Sequence, residues 1–380
     1  MEIRLHDAVG EDEDVPEWAL HYNAKEYPRH AVTGDAVALA LDEGGAAPGL
    51  DALVVTRAKD PFAGLDAWPG GFLDWVEDDD THQAAVRELR EETGMAPPEY
   101  VEPLGSYSRN GRDPRQFAGY RTKGGEWVAR GTRVTSNAYL MLMRKDAGRA
   151  PAAADDASGA RWASVYAYLP WEDLRAAAGR DAARAALDAL RAWADASEDA
   201  GDRRERIDYA WGFGLKEWNE ERVPERWALL VEAALVPEGR RDRWGRSGGG
   251  DDRHGREMAF DHRQVLADAL GRLRGKIKYL PAALVALAGD ELTLDELQAA
   301  CEAIAGRPLH RANFRRTVAP PAGEGRQPRT PRIVAGTGRR KRRGAGEPGV
   351  APELFRFRPD AVRARLDTSL RLPWLPVPSA

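Results

Sequence analysis

Three glutamates lie close together in a stretch that has the marks of a helix. Glu88, Glu91 and Glu92 are spaced i, i+3 and i+4, so on a helix their carboxylates share one face. Carboxylates clustered in this way repel one another unless a cation lies among them, and Mg²⁺ prefers one or two carboxylates together with substrate phosphates. The spacing indicates a divalent-metal site acting on a phosphate-containing ligand. The alternative is an ordinary solvated helix face.

The residues around these glutamates predict how they are positioned. Asp80 is a candidate N-cap with Gln83 three residues on, which is the spacing of a capping box, and Gly94 is a candidate C-terminal stop. Ahead of the helix, the pair Gly70-Gly71 permits a tight turn that brings the backbone close to a ligand. Strand, loop, glycine turn and helix are therefore expected to follow one another.

This stretch resembles the Nudix box. The run from Arg87 to Met95 matches the pattern Arg-Glu-aliphatic-X-Glu-Glu-X-Gly-aliphatic without a gap. The interval between Glu77 and Arg87 is two residues longer than in the family, and Asp79 instead has the usual distance from Arg87. The inserted residues fall in the loop before the helix, so the helix itself is expected to be undisturbed.

The resemblance implies a chemistry for these residues. In the Nudix family, divalent metals on the helix activate water against a nucleoside diphosphate linked to another group. Carried over, Glu88, Glu91 and Glu92 bind Mg²⁺ or Mn²⁺, and Arg87 orients them as a nearby cation. These four residues are the candidate catalytic set.

Eight further residues are candidates for the nucleotide-binding pocket. Arg112-Asp113-Pro114-Arg115 resembles a segment of the Nudix branch that handles ADP-ribose-like compounds, and such a rigid turn could hold an arginine beside a phosphate. The alternative for this segment is a plain surface turn. For Arg57, Phe62 and Trp68, which precede the helix, the alternatives are a surface arginine and core aromatics. The full set is Arg57, Phe62, Trp68, Gly70, Gly71, Arg112, Asp113 and Arg115.

Composition favours a two-domain protein with an uneven charge distribution. The chain has 380 residues and a net charge of -5, yet the stretch from Asp261 to Arg343 carries about nine more basic than acidic residues. An acidic first half and a basic second half suggest two functions, the second of which is the binding of a polyanion. The single cysteine, Cys301, the lack of a signal-peptide pattern and the absence of a long apolar run predict a cytoplasmic protein without a membrane span.

The basic half has the pattern of a helix-turn-helix followed by a wing. Apolar residues at helical spacing predict a helix after Asp261, a second begins at Pro281, and Thr293 with Glu296 forms a capping box for a third. A fourth helix and a basic segment bounded by two strands then follow. The DNA-contact candidates are Arg311, Asn313, Arg315, Arg316, Arg339, Arg340, Lys341, Arg342 and Arg343. The alternatives are a solvated basic loop and a helical dimerisation module.

Together the two halves resemble the NrtR-type transcriptional regulators of NAD metabolism. Matching segments outside the box include Ala259-Phe260-Asp261-His262 and Asn313-Phe314-Arg315-Arg316. The resemblance implies an α+β fold with a Nudix domain over 1–170 and a winged-helix domain over 257–360. A helical and loop insertion over 171–256, with a loop from Gly239 to Arg256, separates them, and residues 361–380 form a tail. No role is predicted for the insertion.

Two functions are consistent with these patterns. The first is a homodimeric regulator that senses ADP-ribose or a related nucleotide, binds operator DNA near NAD-related genes, and retains weak hydrolysis. The second is a Mg²⁺-dependent Nudix pyrophosphohydrolase acting on an ADP-ribose-like substrate, whose basic domain does not read DNA. A third option, a Nudix scaffold that serves only as a dimer platform, is disfavoured by the intact Glu88, Glu91 and Glu92.

Overall fold

The computed structural model describes residues 29–42, 48–145, 150–152, 157–212, 217–247, 252–319, 333–341 and 350–363. The strands are β1 (Ala31–Asp42), β2 (Gly49–Arg57), β3 (Asp66–Ala67), β4 (Gly70–Phe72), β5 (Tyr100–Tyr107), β6 (Gly119–Arg121), β7 (Trp127–Ala129), β8 (Val134–Leu142), β9 (Ala157–Ser164), β10 (Glu291–Leu292), β11 (Val334–Arg340) and β12 (Glu353–Phe357). The helices are α1 (Thr81–Thr93), α2 (Val165–Tyr168), α3 (Ala177–Asp195), α4 (Ala200–Trp211), α5 (Val223–Glu232), α6 (His262–Lys276), α7 (Pro281–Ala288), α8 (Leu294–Ala305), α9 (Arg311–Val318) and α10 (Pro359–Arg363). Among these residues no helix is long and apolar enough to span a membrane.

A mixed sheet forms the centre of the first half. Its main path runs β3-β2-β1-β8-β5, with β4 paired to β1 and β9 paired to β2. Strands β1 and β8 are parallel, whereas the other pairs are antiparallel. Between β5 and β8 the chain makes the short hairpin β6-β7.

Strand β1 is buried on both faces, because helices cover the sheet on each side. Ala36, Ala38 and Ala40 point to the face covered by α1. Val37 and Leu39 point to the opposite face and join a core that extends into the second half of the chain. Successive side chains of β1 therefore pack into two separate cores, one on each face of the sheet, which gives the α/β/α sandwich.

The helical insertion packs around a buried ion cluster. Helices α3, α4 and α5 follow a short 3₁₀ turn at Pro170–Glu172. Glu172 is fully buried and accepts hydrogen bonds from Arg226 on α5 and Arg274 on α6. Trp171 and Trp227 stack beside it with ring centroids 6.4 Å apart. The cluster therefore ties the insertion to α6.

The second half is a winged helix, so the predicted fold class is confirmed. Helix α8 begins with the predicted capping box at Thr293 and Glu296 and ends at Gly306 in the left-handed conformation. Strands β10, β12 and β11 form the small sheet of the wing. Its basic loop includes Arg342 and Arg343, which lie outside the described residues.

Candidate functional site

A cleft of about 510 Å³ opens at the edge of the sheet, between α1 and the segment that precedes α6. It brings together residues that are far apart in the sequence. Those predicted from the sequence that line it are Arg57, Trp68, Gly70, Gly71, Arg87, Glu88, Glu92, Arg112, Asp113 and Arg115. The cleft is thus lined by both carboxylates and guanidinium groups, which suits a metal-bound anionic ligand.

Helix α1 presents two of the three glutamates to the cleft. Its N-cap is Asp80, whose side chain accepts from the backbone N–H of Gln83, and Gly94 ends it with φ of 68°. The capping box is incomplete, since the Gln83 side chain bonds to Asp79 rather than to Asp80. Glu88 and Glu92 line the cleft, whereas the side chain of Glu91 is 56% exposed.

Arg87 fixes the geometry of the glutamates from one side. It donates to Glu88 and Glu91 at 2.8 and 3.0 Å and to the buried Asp78 at 2.9 Å. Hydrogen bonding to Asp78 is the largest of the effects that raise the pKa of Arg87. Asp78 belongs to the lengthened loop, so those extra residues supply the anchor for Arg87.

Glu77 and Asp79, the two alternatives in the longer loop, lie in different places in the structure. Asp74 accepts from the backbone N–H groups of Val76 and Glu77 and closes a compact turn. Glu77 lines the cleft, whereas Asp79 bonds to Gln83 at the exposed start of α1. Of the two alternatives left by the sequence spacing, Glu77 is therefore the one beside the ligand site.

Burial makes several of the cleft carboxylates easier to protonate. It raises the pKa of Glu92 to about 7 and also raises the pKa of Glu88. Asp35 on β1, which the sequence reasoning missed, accepts from Ser136, and burial raises its pKa to about 6. A bound cation would stabilise the ionised forms. Among the described residues no group of three or more His, Cys, Asp or Glu side chains is gathered closely enough to hold a metal ion, so a divalent cation at Glu88 and Glu92 would need the phosphates of a ligand to complete its coordination.

Gly70 and Gly71 are required because carboxylates lie close to their Cα atoms, and not because the chain turns there. Gly70 and Gly71 lie in β4, which pairs with β1, so the prediction of a tight turn here was wrong. A Cβ on Gly71 would lie 2.0 Å from Glu88 Oε1, and one on Gly70 would lie 2.4 Å from Asp35 Oδ1. The Gly70 N–H also donates to Glu92 at 3.0 Å. A side chain at either position would displace a cleft carboxylate.

Two arginines share an aromatic platform on the other wall. The guanidinium groups of Arg57 and Arg115 lie 4.8 and 5.5 Å from the ring centroid of Phe260, and Arg115 also lies 5.0 Å from that of Phe72. Burial, followed by the nearby charge of Arg115, lowers the pKa of Arg57. An anion between these two cations would relieve their repulsion, as a diphosphate would.

Arg112 and Asp113 have partners within the protein. Arg112 makes a buried two-point ion pair with Asp261, at 2.9 and 2.6 Å, which joins the predicted Arg-Asp-Pro-Arg turn to the start of α6. Asp113 is buried, accepts from the backbone N–H of Arg115 at 2.9 Å and binds its guanidinium. Both arginines line the cleft, but the Arg112 side chain is buried whereas that of Arg115 is 40% exposed, so Arg115 is the more accessible of the two.

Trp68 and Phe62 differ in their access to the cleft. Trp68 is 2% exposed, and its backbone N–H and indole N–H donate at 3.0 Å to the Nδ1 atom and the carbonyl of His262. Phe62 packs edge-on against Phe260, with ring centroids 4.9 Å apart. The structure therefore places Phe62 behind the cleft wall, as a supporting aromatic.

His262 and Phe260 are site residues that sequence reasoning assigned elsewhere. Both line the cleft, and His262 Nε2 lies 3.9 Å from Asp35 Oδ2. Burial, and then the charge of Arg112, lowers the pKa of His262 well below its usual value, so the imidazole is neutral. The segment Ala259-Phe260-Asp261-His262 matches the NrtR-type regulators in sequence, and that match is the signal that could have assigned both residues to the site.

A second surface of interest lies on α9. Phe314 and Val318 are buried against the rest of the winged helix, whereas Arg311 and Arg316 are exposed. Arg316 donates to the Asn313 side chain. The helix thus turns its predicted DNA-contact face toward solvent, and Arg315 is half-buried at the edge of that face.

The basic residues of this surface are paired with carboxylates. Asp295 binds Arg311 at 3.0 Å and Arg315 at 2.8 Å. In the wing, Arg339 pairs with Glu291 and Lys341 pairs with Glu296, while Arg340 donates to the Ala351 carbonyl at 2.9 Å. Exposed ion pairs of this kind contribute only about 0–1 kcal/mol, so phosphates can replace the carboxylates.

Comparison with known proteins identifies both halves. The family model of the Nudix domain matches residues 33–187, and that of the NrtR DNA-binding winged helix domain matches residues 284–320. The chain is 34% identical over 97 residues to the ADPR responsive transcriptional repressor NtrR of Acinetobacter baylyi, which is 26% of this chain and 37% of that protein. It is 44% identical over 63 residues to the ADP-ribose pyrophosphatase of Methanocaldococcus jannaschii, which is 17% of this chain and 36% of that protein.

Solved structures of similar proteins include NrtR of Shewanella oneidensis, with a TM-score of 0.47 and 21% identity over 89% of this chain and 99% of that one. A MutT/nudix family protein from Enterococcus faecalis has a TM-score of 0.48 and 18% identity over 90% and 91% of the two chains. The chain covers little more than a third of the length of the two sequence relatives above. The chain thus has a segment that matches the Nudix domain followed by one that matches the NrtR winged helix domain, and in this order of domains it resembles the NrtR-type transcriptional regulators.

Proposed function

We propose that this protein is an ADP-ribose-sensing transcriptional regulator of NAD-related genes, which binds operator DNA through its winged helix. The observation that carries the proposal is the composition of the cleft. Glu88 and Glu92 come from the Nudix helix, while Phe260 and His262 come from the segment that leads into the winged helix. A ligand in the cleft therefore touches the start of α6.

Helix α6 gives the cleft a route to the DNA-binding part. Along its length, Asp268 accepts from Tyr107 of β5 at 2.8 Å, and Lys276 pairs with Glu102 of β5 at 2.7 Å. Near its end, Arg274 donates to the carbonyl of Ile304 on α8 at 2.9 Å. A ligand that prefers one placement of α6 would change DNA affinity by its differential affinity for the two placements.

The relatives support this choice of ligand and partner. One is named an ADPR responsive transcriptional repressor, and another is named an ADP-ribose pyrophosphatase. ADP-ribose carries the diphosphate that Arg57 and Arg115 are placed to bind. Fluorescence anisotropy with a duplex selected from a randomised pool tests the sensing. ADP-ribose is expected to weaken DNA binding. A DNA affinity that is unchanged by every nucleotide tried would refute the proposal.

We also propose that the protein binds DNA as a homodimer. Helix-turn-helix proteins commonly bind two half-sites one helical turn apart, which requires two recognition helices. Sedimentation of the protein on the selected duplex would give two chains for each duplex, and a palindromic sequence would emerge from the selection.

The DNA face gives a direct prediction. Replacing Arg316 by alanine is expected to weaken binding to the selected duplex by about 1–3 kcal/mol if it reads a base, and to lower the salt slope by about 1 if it binds a phosphate. The measurement is anisotropy across a series of salt concentrations. Arg184 to alanine, a change at an arginine that is 73% exposed on α3, is the matched control. Equal binding by the two variants would contradict the assignment of α9.

A second function, metal-dependent hydrolysis, is favoured by Glu88 and Glu92 lining the same cleft as the arginines. Glu88 and Glu92 would hold a Mg²⁺ or Mn²⁺ ion together with the substrate phosphates, with Glu77 also lining the cleft and Glu91 at the solvent side. When bound, the ion would supply polarisation of the diphosphate and activation of water near neutral pH. The chain's own part is to hold the phosphates with Arg57 and Arg115, so weak release of AMP from ADP-ribose is expected alongside sensing.

A further inference from the structure

Residues 237–246 of the helical insertion, which we name the strap, contact the residues that support the wall of the cleft. The strap starts with the 3₁₀ turn Pro237–Arg240 that follows α5. Sequence patterns assigned most of it to a loop. In the structure it crosses the segment that leads into α6 and the Arg-Asp-Pro-Arg turn, with Gly245 packed against Phe62 and Pro114.

Arg241 is the central contact of the strap. Its side chain is 9% exposed and binds Glu257 at 2.7 and 2.9 Å. It also donates to the backbone carbonyls of Met258 and Phe260. One guanidinium group therefore holds three of the residues that lead into α6. Glu238 adds a second link, because it binds Arg263 at 2.6 Å.

The residues that Arg241 holds have an unfavourable backbone conformation. Phe260 has φ of 52°, and Phe62, whose ring lies 4.6 Å from the Arg241 guanidinium, has φ of 70°. Positive φ is costly for residues with bulky side chains and persists only where the surroundings enforce it. Arg241 contributes to that enforcement at Phe260 through the hydrogen bond to its carbonyl, while the strap contacts only the ring of Phe62.

Phe260 connects this support to the ligand. Its ring is the surface over which both Arg57 and Arg115 lie. If the ring moves, both guanidinium groups lose this contact, which adds to the hydrogen bonds of Arg57 to the Pro61 carbonyl and of Arg115 to Asp113. The line of contacts thus runs from Arg241 to Phe260, and from Phe260 to the two arginines placed to bind phosphate.

We propose that Arg241 is a positioning residue for nucleotide binding: it fixes Phe260, which in turn aligns Arg57 and Arg115 for the diphosphate. The insertion is then part of the ligand site rather than a passive addition. This inference rests on the proposed function, since it takes the ligand to be a nucleoside diphosphate. It adds that the site needs the strap as well as the Nudix domain.

Calorimetric titration of the full chain with ADP and with adenosine tests this. R241A is expected to raise the dissociation constant for ADP at least about tenfold, a loss of the size expected for a supporting residue. Adenosine binding, which needs no phosphate contact, is expected to be unchanged. R241K, which keeps a donor but not the planar fork, is expected to fall between R241A and the wild type.

Two further variants make the test specific. R243A changes an exposed arginine of the same strap and is expected to bind ADP as the wild type does. F260L keeps an apolar side chain but removes the ring beneath the two arginines, and it is expected to reproduce the loss seen in R241A. Equal ADP affinity in R241A and R243A would overturn the proposal, as would an equal loss of ADP and adenosine binding.

If the proposed function is wrong, the calorimetric titrations would give a different result. In that case the wild type itself would bind neither ADP-ribose nor ADP. Hydrogen exchange at the amides of residues 258–260 then decides whether Arg241 holds the turn. Faster exchange in R241A than in R243A would support the positioning role, and equal exchange would overturn it.

Discussion

Replacing Glu172 by glutamine is expected to lower the free energy of unfolding by about 3–5 kcal/mol. Glu172 is fully buried, and so are Arg226 and Arg274, which bind it at 2.6 and 2.5 Å. Although burial opposes its charge, the two arginines hold the pKa of Glu172 below its usual value. Glutamine would leave two buried cations without a counter-charge. Urea unfolding followed by tryptophan fluorescence and circular dichroism measures the loss.

The control for this change is a similar pair at the surface. Glu232 binds Arg206, and both side chains are 42% exposed. Glu232 to glutamine is expected to change the free energy of unfolding by less than about 1 kcal/mol, because water screens the pair. If the Glu172 variant lost no more than the Glu232 variant, the buried cluster would not be what ties the insertion to α6.

Replacing Glu92 by glutamine is expected to reduce the release of AMP from ADP-ribose in Mg²⁺ buffer by about 100-fold or more. Glu92 lines the cleft and accepts a hydrogen bond from the Gly70 N–H. Because burial raises the pKa of Glu92 to about 7, glutamine removes a charge that the fold disfavours. The variant should therefore stay folded, and its loss of activity should reflect the site.

The adjacent residue provides the matched control. Glu91 differs from Glu92 mainly in the position of its side chain, which is 56% exposed, whereas Glu92 lines the cleft. Its glutamine variant is expected to lose much less activity and to bind Mn²⁺, measured by calorimetry, more tightly than the Glu92 variant does. Equal AMP release by the wild type and the Glu92 variant would rule out the metal-site assignment.

The helix of the Nudix box was predictable because its signals are local. The N-cap at Asp80 and the C-terminal glycine at Gly94 are both found where the sequence places them. The face shared by Glu88 and Glu92 follows from helical spacing alone. The capping box at Thr293 is likewise a contact between residues three positions apart. Short-range hydrogen bonds and periodicity are properties that a single sequence carries.

The far wall of the cleft was not predictable in the same way. His262 bonds to Trp68, which is 194 positions away in the chain. No spacing rule brings these two residues together, because their contact depends on how α6 packs beside the sheet. Arg112 illustrates the same limit. A flexible cation near a turn suggested a phosphate contact, whereas the folded chain provides Asp261 as its buried partner.

The insertion shows where periodicity fails. Helix α4 was not predicted, because charged residues occupy most of its first two turns and only Ile207, Ala210 and Trp211 are buried. The strap was assigned to a loop because glycine, arginine and aspartate dominate its sequence. Its order comes from contacts of Arg241 with residues close to α6, which composition does not reveal.

The central claim is that ligand in the Nudix cleft and DNA on the winged helix are coupled. Calorimetric titration of ADP-ribose into the free protein and into its complex with the selected duplex tests this claim most directly. Binding to the complex is expected to be weaker, by the same factor by which ADP-ribose lowers DNA affinity, and typically about 5–150-fold. The same ADP-ribose affinity with and without bound DNA would contradict the claim.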